Sequence, residues 1–579
     1  MRKRFGNEFR RFGIIGAVLL LLVIALAGCS PESDSRAYTN VYFDYSDQIA
    51  AVDAKSTAFT SPVEDTKSGL SVSDENDATG VVLVAAQNPE NKNDLYLNAL
   101  VAGNELVFSG SGIVSVTDAV GSNPAVIVSV SEDSFTVKPA IINADEPVDE
   151  VIGVTMSDGN TYNIHTVNEL LPGIDIAKSE VEAVESGVYS ILVDRFLLRV
   201  DTDGNLVYYR NLDCTGENIV ENFQAQDTEE GRFYTFMVEL DPSLRNAMGG
   251  FSSGMYVLMD ENYNEINYIT LMANDDKNHT HGEGYLDQHE FVLLGENHWI
   301  GLSYTQEFVD NLTVAGIDGG STAYIQAGII QEVKDGKVIH EYNTADYPEL
   351  YASAKEACDY GNSTNNGTAD DYMDYVHVNS ICIDPKDDNL LVSMRNQYAV
   401  YKFDRENGNI IWALGGDNNQ FTGLEDYLDD NGNLFVGQHY ARYVDESIAG
   451  NDSTVTVFNN NTNYQQNATK TYTFTLDEEN KTATVSAVEG TALDAITGKM
   501  HWATHCGSYQ QISEESSLMG WGFCAALDMN PATINQHALL TDYNPTTGNI
   551  GYELSVSRNS LYKHPNEACF SYRAYKNND

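Results

Sequence analysis

Three histidines stand at equivalent places along this 579-residue chain. His289, in Asp287-Gln288-His289-Glu290, comes just before the apolar run Phe291-Val292-Leu293-Leu294. His377, in Tyr375-Val376-His377-Val378-Asn379-Ser380, comes just before Ile381-Cys382-Ile383. His439 lies in Gly437-Gln438-His439-Tyr440-Ala441-Arg442. A fourth group, Arg395, is set inside the apolar stretch Leu391-Val392-Ser393-Met394-Arg395-Asn396. A buried arginine requires an anionic partner or a dense set of acceptors. Each histidine alone reads as a satisfied core residue. Three at one structural level, with an arginine, make a ring of hydrogen-bond donors suited to a tetrahedral oxyanion. No close carboxylate ligand or H-x-H helix accompanies them, so no metal and no cofactor is assigned. His279-Thr280-His281 has metal-ligand residue types but falls in a Gly- and Asp-rich loop, and the acidic loop 429–433 reads as a solvated turn rather than a Ca²⁺ site.

A repeat could hold these side chains at one level. Its unit is an apolar strand, an Asp/Asn/Gly turn and a second apolar strand. Six copies align, at 196–209, 255–271, 325–342, 399–414, 472–488 and 539–554. The spacing is roughly 60 to 75 residues, enough for a four-stranded blade with long loops. This predicts a six-bladed β-propeller over 174–579, with each unit forming the outer hairpin of a blade. Propellers bind ligands on the central axis, where polar residues just before the inner strands converge. Upstream, short apolar runs between 81 and 130, separated by Gly, Asn and Asp, predict a small β-sandwich over 79–173. The fold class is therefore all-β, with a sandwich preceding a propeller.

The first residues give an address. Arg2, Lys3, Arg4, Arg10 and Arg11 lead into an uncharged apolar run, 12–28, which ends in Leu26-Ala27-Gly28-Cys29. Basic, apolar and small-residue regions in that order describe a secretory signal. The cysteine that follows makes it a lipoprotein signal, with 1–28 removed and Cys29 lipidated. The run is at the short limit for an uncleaved membrane span. Residues 29–78, rich in Ser, Asp, Thr and Ala, read as a tether. The expected location is the cell envelope, outside the cytoplasm, with membrane contact only through the lipid. Without 1–28 the chain carries 27 basic and 84 acidic residues. Such a surface repels nucleic acid, and any anion site must be built locally. Six further cysteines (Cys214, Cys358, Cys382, Cys506, Cys524 and Cys569) show no CxxC spacing, and Cys382 reads as a free core thiol.

The segment 374–416 resembles the aryl-sulfate sulfotransferase signature: His-x-Asn-Ser, a strand, Ser-x-Arg, then Asp, Gly, Trp and Leu-Gly-Gly. Gln438-His439 and Val457-Phe458-Asn459-Asn460 are similar to that family too. The resemblance implies transfer of a sulfuryl group from a phenolic sulfate ester to a phenol, without a nucleotide sulfate donor and through a sulfo-histidine. It implies His439 as nucleophile, with His377, Arg395 and His289 on the sulfuryl oxygens. It adds Asn379 and Thr504 (or the adjacent His505) as substrate-binding residues. Its partners would be small aryl sulfates and phenols; homodimerisation is left open. Tyr375 and Tyr440 are expected to stack on the substrate ring. Two other readings compete: a hydrolase that uses the same site with water as acceptor, and a non-catalytic envelope propeller that binds glycans or proteins.

Overall fold

The computed structural model describes residues 71–74, 84–87, 93–97, 99–118, 126–168, 171–193, 196–212, 220–240, 251–274, 284–309, 323–355, 372–461, 469–490, 503–524, 538–556 and 571–578. The expected signal, Cys29, the metal candidate 279–281 and three cysteines (Cys214, Cys358 and Cys569) lie outside the described residues. The chain is all-β. Its helices, among the described residues, are single turns or short pieces such as Pro348–Ala352 and Glu446–Ala449.

Four successive sheets have the same four-stranded antiparallel meander order. They run from Val220–Thr228 to Glu265–Ile269, from Phe291–Gly295 to Lys337–Asn343, from Val378–Ile383 to Ile410–Gly415, and from Tyr440–Tyr443 to Thr482–Glu489. A sheet on either side takes a strand from the opposite end of the chain. Ile174–Lys178 pairs with Ile550–Val556, while Tyr575–Asn577 pairs with Val188–Val193. Both arms of each repeat unit pair as an antiparallel hairpin. Five of the six turns share one device: a side-chain oxygen of Asp201, Asp260, Asp404, Asp477 or Asn544 accepts the amide N–H two to four residues on.

Burial explains why these segments are strands rather than helices. Leu390–Met394 and Ala399–Phe403 are buried at every position. A strand covered on both faces reads as a continuous apolar run, and these sheets pack on neighbours front and back. The outermost strand Thr482–Glu489 instead alternates between exposed and covered positions, as an edge strand should.

Upstream lie two small sheets. One joins Ser71–Asp74, Leu106–Ser109, Ser134–Lys138 and Val126–Val130; the other joins Val84–Gln87, Asp94–Leu97, Thr161–His165, Val151–Met156 and Ile113–Asp118. Ser71–Asp74 falls within the stretch read as tether, and its pairing with Leu106–Ser109 starts the ordered region earlier than 79. The two regions share one core. Phe108, Phe135, Ile152 and Ile164 cluster with Ile191, Leu198, Tyr209 and Leu554. Ala99–Val101 also adds an outer strand to the sheet of Asn205–Asn211, and the buried Tyr209 hydroxyl donates to the Thr166 carbonyl at 2.7 Å with the Leu97 carbonyl at 3.0 Å as an alternative acceptor.

Candidate active site

His289, His377 and His439 each sit one or two residues before the first strand of a sheet. That common position brings them together. The His289 and His377 ring centroids are 4.8 Å apart and those of His377 and His439 6.3 Å. All three side chains are buried, at 3%, 7% and 3% exposure. His377 has φ 48°, in the left-handed region that a β-carbon disfavours, and such strain concentrates at functional sites.

The histidines differ in what stands behind them. His289 Nδ1 lies 2.5 Å from Asp287 Oδ1. His377 Nδ1 lies 2.7 Å from Asp374 Oδ2, and the other Asp374 oxygen accepts the His377 amide at 3.0 Å. His439 Nδ1 faces neutral acceptors instead, Asn460 Oδ1 at 2.8 Å and the Gly437 carbonyl at 3.1 Å. The amide of Asn460 cannot be turned round. Its Nδ2 donates to the carbonyls of Ala503 at 3.1 Å and Cys506 at 2.9 Å, so its oxygen must point at His439. With two acceptors before it, His439 Nδ1 carries the proton and Nε2 carries the lone pair.

The charges follow from burial and from Arg395. Burial, then the charges of Arg395, His377, His289 and His505, push His439 well below the ordinary histidine range. His377 is pushed down as well, by burial and then by His289 and Arg395. Burial pushes the Asp374 carboxyl up to about 7 against the opposing pull of Arg395 and His289. The Asp374–His377 pair is therefore poised to hold one proton near neutrality.

Arg395 does not lie in the strand, as expected, but just past it. It opens the one-turn 3₁₀ helix Arg395–Gln397 after Leu390–Met394, where it is half-buried rather than enclosed. The turn is fixed on several sides. Arg395 N–H donates to the His377 carbonyl at 2.9 Å, and Asn396 Nδ2 to the Asp374 carbonyl at 2.7 Å. Gln397 Nε2 donates to the carbonyls of Leu350 and Tyr375. The charge of Arg395 bears on Asp374, His377, His439 and His505 alike.

Thr504 and His505 are at the site as a pair, with Thr504 Oγ1 2.6 Å from His505 Nδ1. Thr504 is buried and His505 open to solvent. The surrounding protein, then Arg395, hold the His505 imidazole below its usual range. Asn379 is fully buried and donates from Nδ2 to the Gln438 carbonyl at 2.7 Å. That bond fixes the residue before His439, while Asn379 Oδ1 has no hydrogen-bond partner among the described residues. Tyr375 and Tyr440 do not face the cleft. Tyr375 is fully buried with its hydroxyl on Thr344, and Tyr440 lies beneath, against the guanidinium groups of Arg442 at 3.8 Å and Arg573 at 4.8 Å. Among the rings beside the imidazoles are Phe251, 5.1 Å from His377, Tyr572, 5.7 Å from His289, and Tyr304, whose hydroxyl donates to the Val378 carbonyl at 2.6 Å.

Beneath the ring is a buried ion cluster. Glu290, next to His289, takes Arg573 Nη1 at 3.1 Å on one oxygen and Arg442 Nη2 at 2.5 Å on the other. Arg573 also donates to the Asn379 carbonyl at 2.6 Å. Beyond the cluster, further along the same strands, a cavity of about 380 Å³ is lined by Val292, Ile381, Cys382, Arg442 and Tyr575 among others. Cys382 is a free, half-buried thiol that packs against a core cluster on one side and lines this cavity on the other.

Residues 243–530, about half of the chain and all of the six ring and substrate-binding positions, match the family model of arylsulfotransferase (ASST). The chain belongs to the arylsulfotransferase family. A search of the curated proteins gives no match. Among solved structures, this arylsulfotransferase-family chain is similar to a protein of unknown function from Bacteroides caccae, with 8% identity, a TM-score of 0.36, and 68% of this chain and 100% of the other covered. Virginiamycin B lyase from Staphylococcus aureus matches with 10% identity and a TM-score of 0.28, covering 76% of this chain and 99% of its own. The Dos1 propeller matches with 10% identity and a TM-score of 0.28, covering 74% and 88%.

Asp287, Asp374, Asn460, Glu290, Arg442 and Arg573 were given no role from sequence, although Asn460 stands in the family-like run Val457-Phe458-Asn459-Asn460. Asp374 and Asp287 carried a signal, an acid three or two residues before a candidate histidine. Arg573 carried none, being 194 residues from its partner Asn379.

Proposed function

We propose that the protein is an aryl-sulfate sulfotransferase that moves a sulfuryl group between phenols through a sulfo-histidine on His439. The observation that supports this most is the arrangement at His439: Nδ1–H held by Asn460, a buried neutral ring, and Nε2 left as a lone pair beside Arg395. Neutral imidazole is a good nucleophile and imidazolium is none. In the first half-reaction the Nε2 lone pair forms an N–S bond to the sulfuryl group of the donor. The S–O bond to the phenol breaks, and its electron pair leaves on the phenolate oxygen. The Asp374–His377 pair gives that oxygen its proton. The positive ring and the negative sulfuryl group of the intermediate offset one another. In the second half-reaction the acceptor phenol returns a proton to Asp374–His377 as its oxygen takes the sulfuryl group from Nε2. Sulfuryl transfer resembles phosphoryl transfer, where positioning and charge stabilisation dominate. Arg395 and His289 are assigned to the sulfuryl oxygens, and Thr504–His505 to the mouth of the site. No nucleotide donor, metal or cofactor has a role.

The six larger sheets described in 174–579 are read as the six blades of a propeller that puts this ring on its axis, and the two upstream sheets, Ser71–Asp74 included, as a β-sandwich. The signal 1–28 and lipidated Cys29 would place the enzyme in the cell envelope. The test is incubation with a chromogenic aryl sulfate, with and without a phenol. Donor-phenol release that depends on the acceptor, with the sulfate recovered on it, is expected. Equal release without the acceptor would indicate the hydrolase instead, and no release would sink both.

A further inference from the structure

Why one of three neighbouring histidines should be the nucleophile is not explained by burial or by Arg395, since His377 and His439 share both. The difference is the group behind Nδ1. A carboxylate stands behind His289 and His377, and a carboxamide behind His439. The geometry points to Asn460 as the positioning residue that makes His439 the nucleophile, by fixing the Nδ1–H tautomer while withholding negative charge. This rests on the role proposed for His439 above.

The carboxamide orientation is imposed from outside the ring. Asn460 Nδ2 is committed to Ala503 and Cys506, in the neighbouring two-stranded sheet and the turn after it. Asn460 is fully buried, so water does not compete for its oxygen. A carboxylate here would favour the charged imidazolium and put a proton on Nε2, which removes the nucleophile. It would also stabilise the positive ring of the N–S intermediate and slow its breakdown. The amide avoids both while still accepting the Nδ1 proton. The groups that face His439 from the other elements are Arg395, His377, His289 and His505, all cationic or neutral, and the carboxylates Asp374 and Asp287 stand behind His377 and His289.

The experiment uses full-length protein labelled with ¹⁵N-histidine and long-range ¹H–¹⁵N correlation, without substrate. The His439 signals are identified by their loss in His439→Gln. Nδ1 is expected to be protonated and Nε2 bare at neutral pH. In Asn460→Asp the His439 midpoint should rise by about one to three pH units, and the acid limb of the kcat/KM profile should rise with it. A bare Nδ1 with protonated Nε2 in the wild type would overturn the inference. So would Asn460→Asp titrating as wild type. If that variant does not fold, the wild-type tautomer alone decides. Should the tautomer be as expected while no sulfuryl transfer occurs, the proposed function fails and the role of Asn460 in setting the tautomer stands.

Discussion

Two kinds of imidazole share this ring. His377 and His289 are backed by carboxylates, as histidines that carry protons usually are; His439 is backed by an amide held rigidly by two carbonyls. The three are alike in burial and in their place before the first strand of a sheet. Fold position therefore gathers the ring, and the group behind each ring divides the labour. In the proposed mechanism a carboxylate behind Nδ1 keeps a proton available to a leaving or entering phenol, whereas an amide keeps a lone pair available to sulfur.

The contrast can be broken most severely at His439. His439→Ala should lower acceptor-dependent transfer by at least about 10³-fold with the fold intact by circular dichroism. The same substitution at His377 should leave a slow but measurable reaction with donors whose phenol departs easily. Arg395→Ala comes next, with about 10² to 10³ lost in kcat as the sulfuryl oxygens lose their charge partner. Arg395→Lys should recover only part, because a point charge cannot reproduce the fork.

Asp374→Asn turns a carboxylate-backed histidine into an amide-backed one. A loss of about 10²-fold is expected, larger for donors with poor leaving groups. It should also change stability in a pH-dependent way. Asp374 is raised to about 7, so the native state holds a proton there that the unfolded chain gives up near the ordinary carboxylate value. Its contribution is fully present in acid and lost as pH rises towards 7. Thermal unfolding at pH 5 and pH 8 should show the variant gaining on the wild type at the higher pH. The smallest expected effect is that of Tyr304→Phe, which removes one hydrogen bond to Val378 beside His377. About 1 kcal/mol of stability and less than tenfold in rate are expected, read from a denaturation curve and initial rates.

The histidines were legible because each precedes an apolar inner strand, and that pattern survives in linear sequence. The hairpins were legible for a similar reason, since Asp/Asn/Gly turns punctuate them. Arg395 was placed one step wrong. Nothing in the apolar run reveals that the strand stops at Met394 and turns, a stop enforced by Gln397 reaching Leu350 and Tyr375. The expected roles of Tyr375 and Tyr440 failed because an inward-facing aromatic and a cleft-facing one look the same in sequence. Asn460 was visible only as part of the family-like run Val457-Phe458-Asn459-Asn460; its contact with His439 lies within one sheet, but the carbonyls of Ala503 and Cys506 that orient it come from another. Arg573 was out of reach, because its partner Asn379 is 194 residues away.

The most direct test is to mix the protein with an aryl sulfate lacking an acceptor, quench it at alkaline pH and map the modified peptide by mass. The predicted result is one sulfuryl group on His439, discharged by adding a phenol. An adduct on His377 or His289, or acceptor-dependent turnover with no adduct at all, would contradict the division between the two kinds of imidazole.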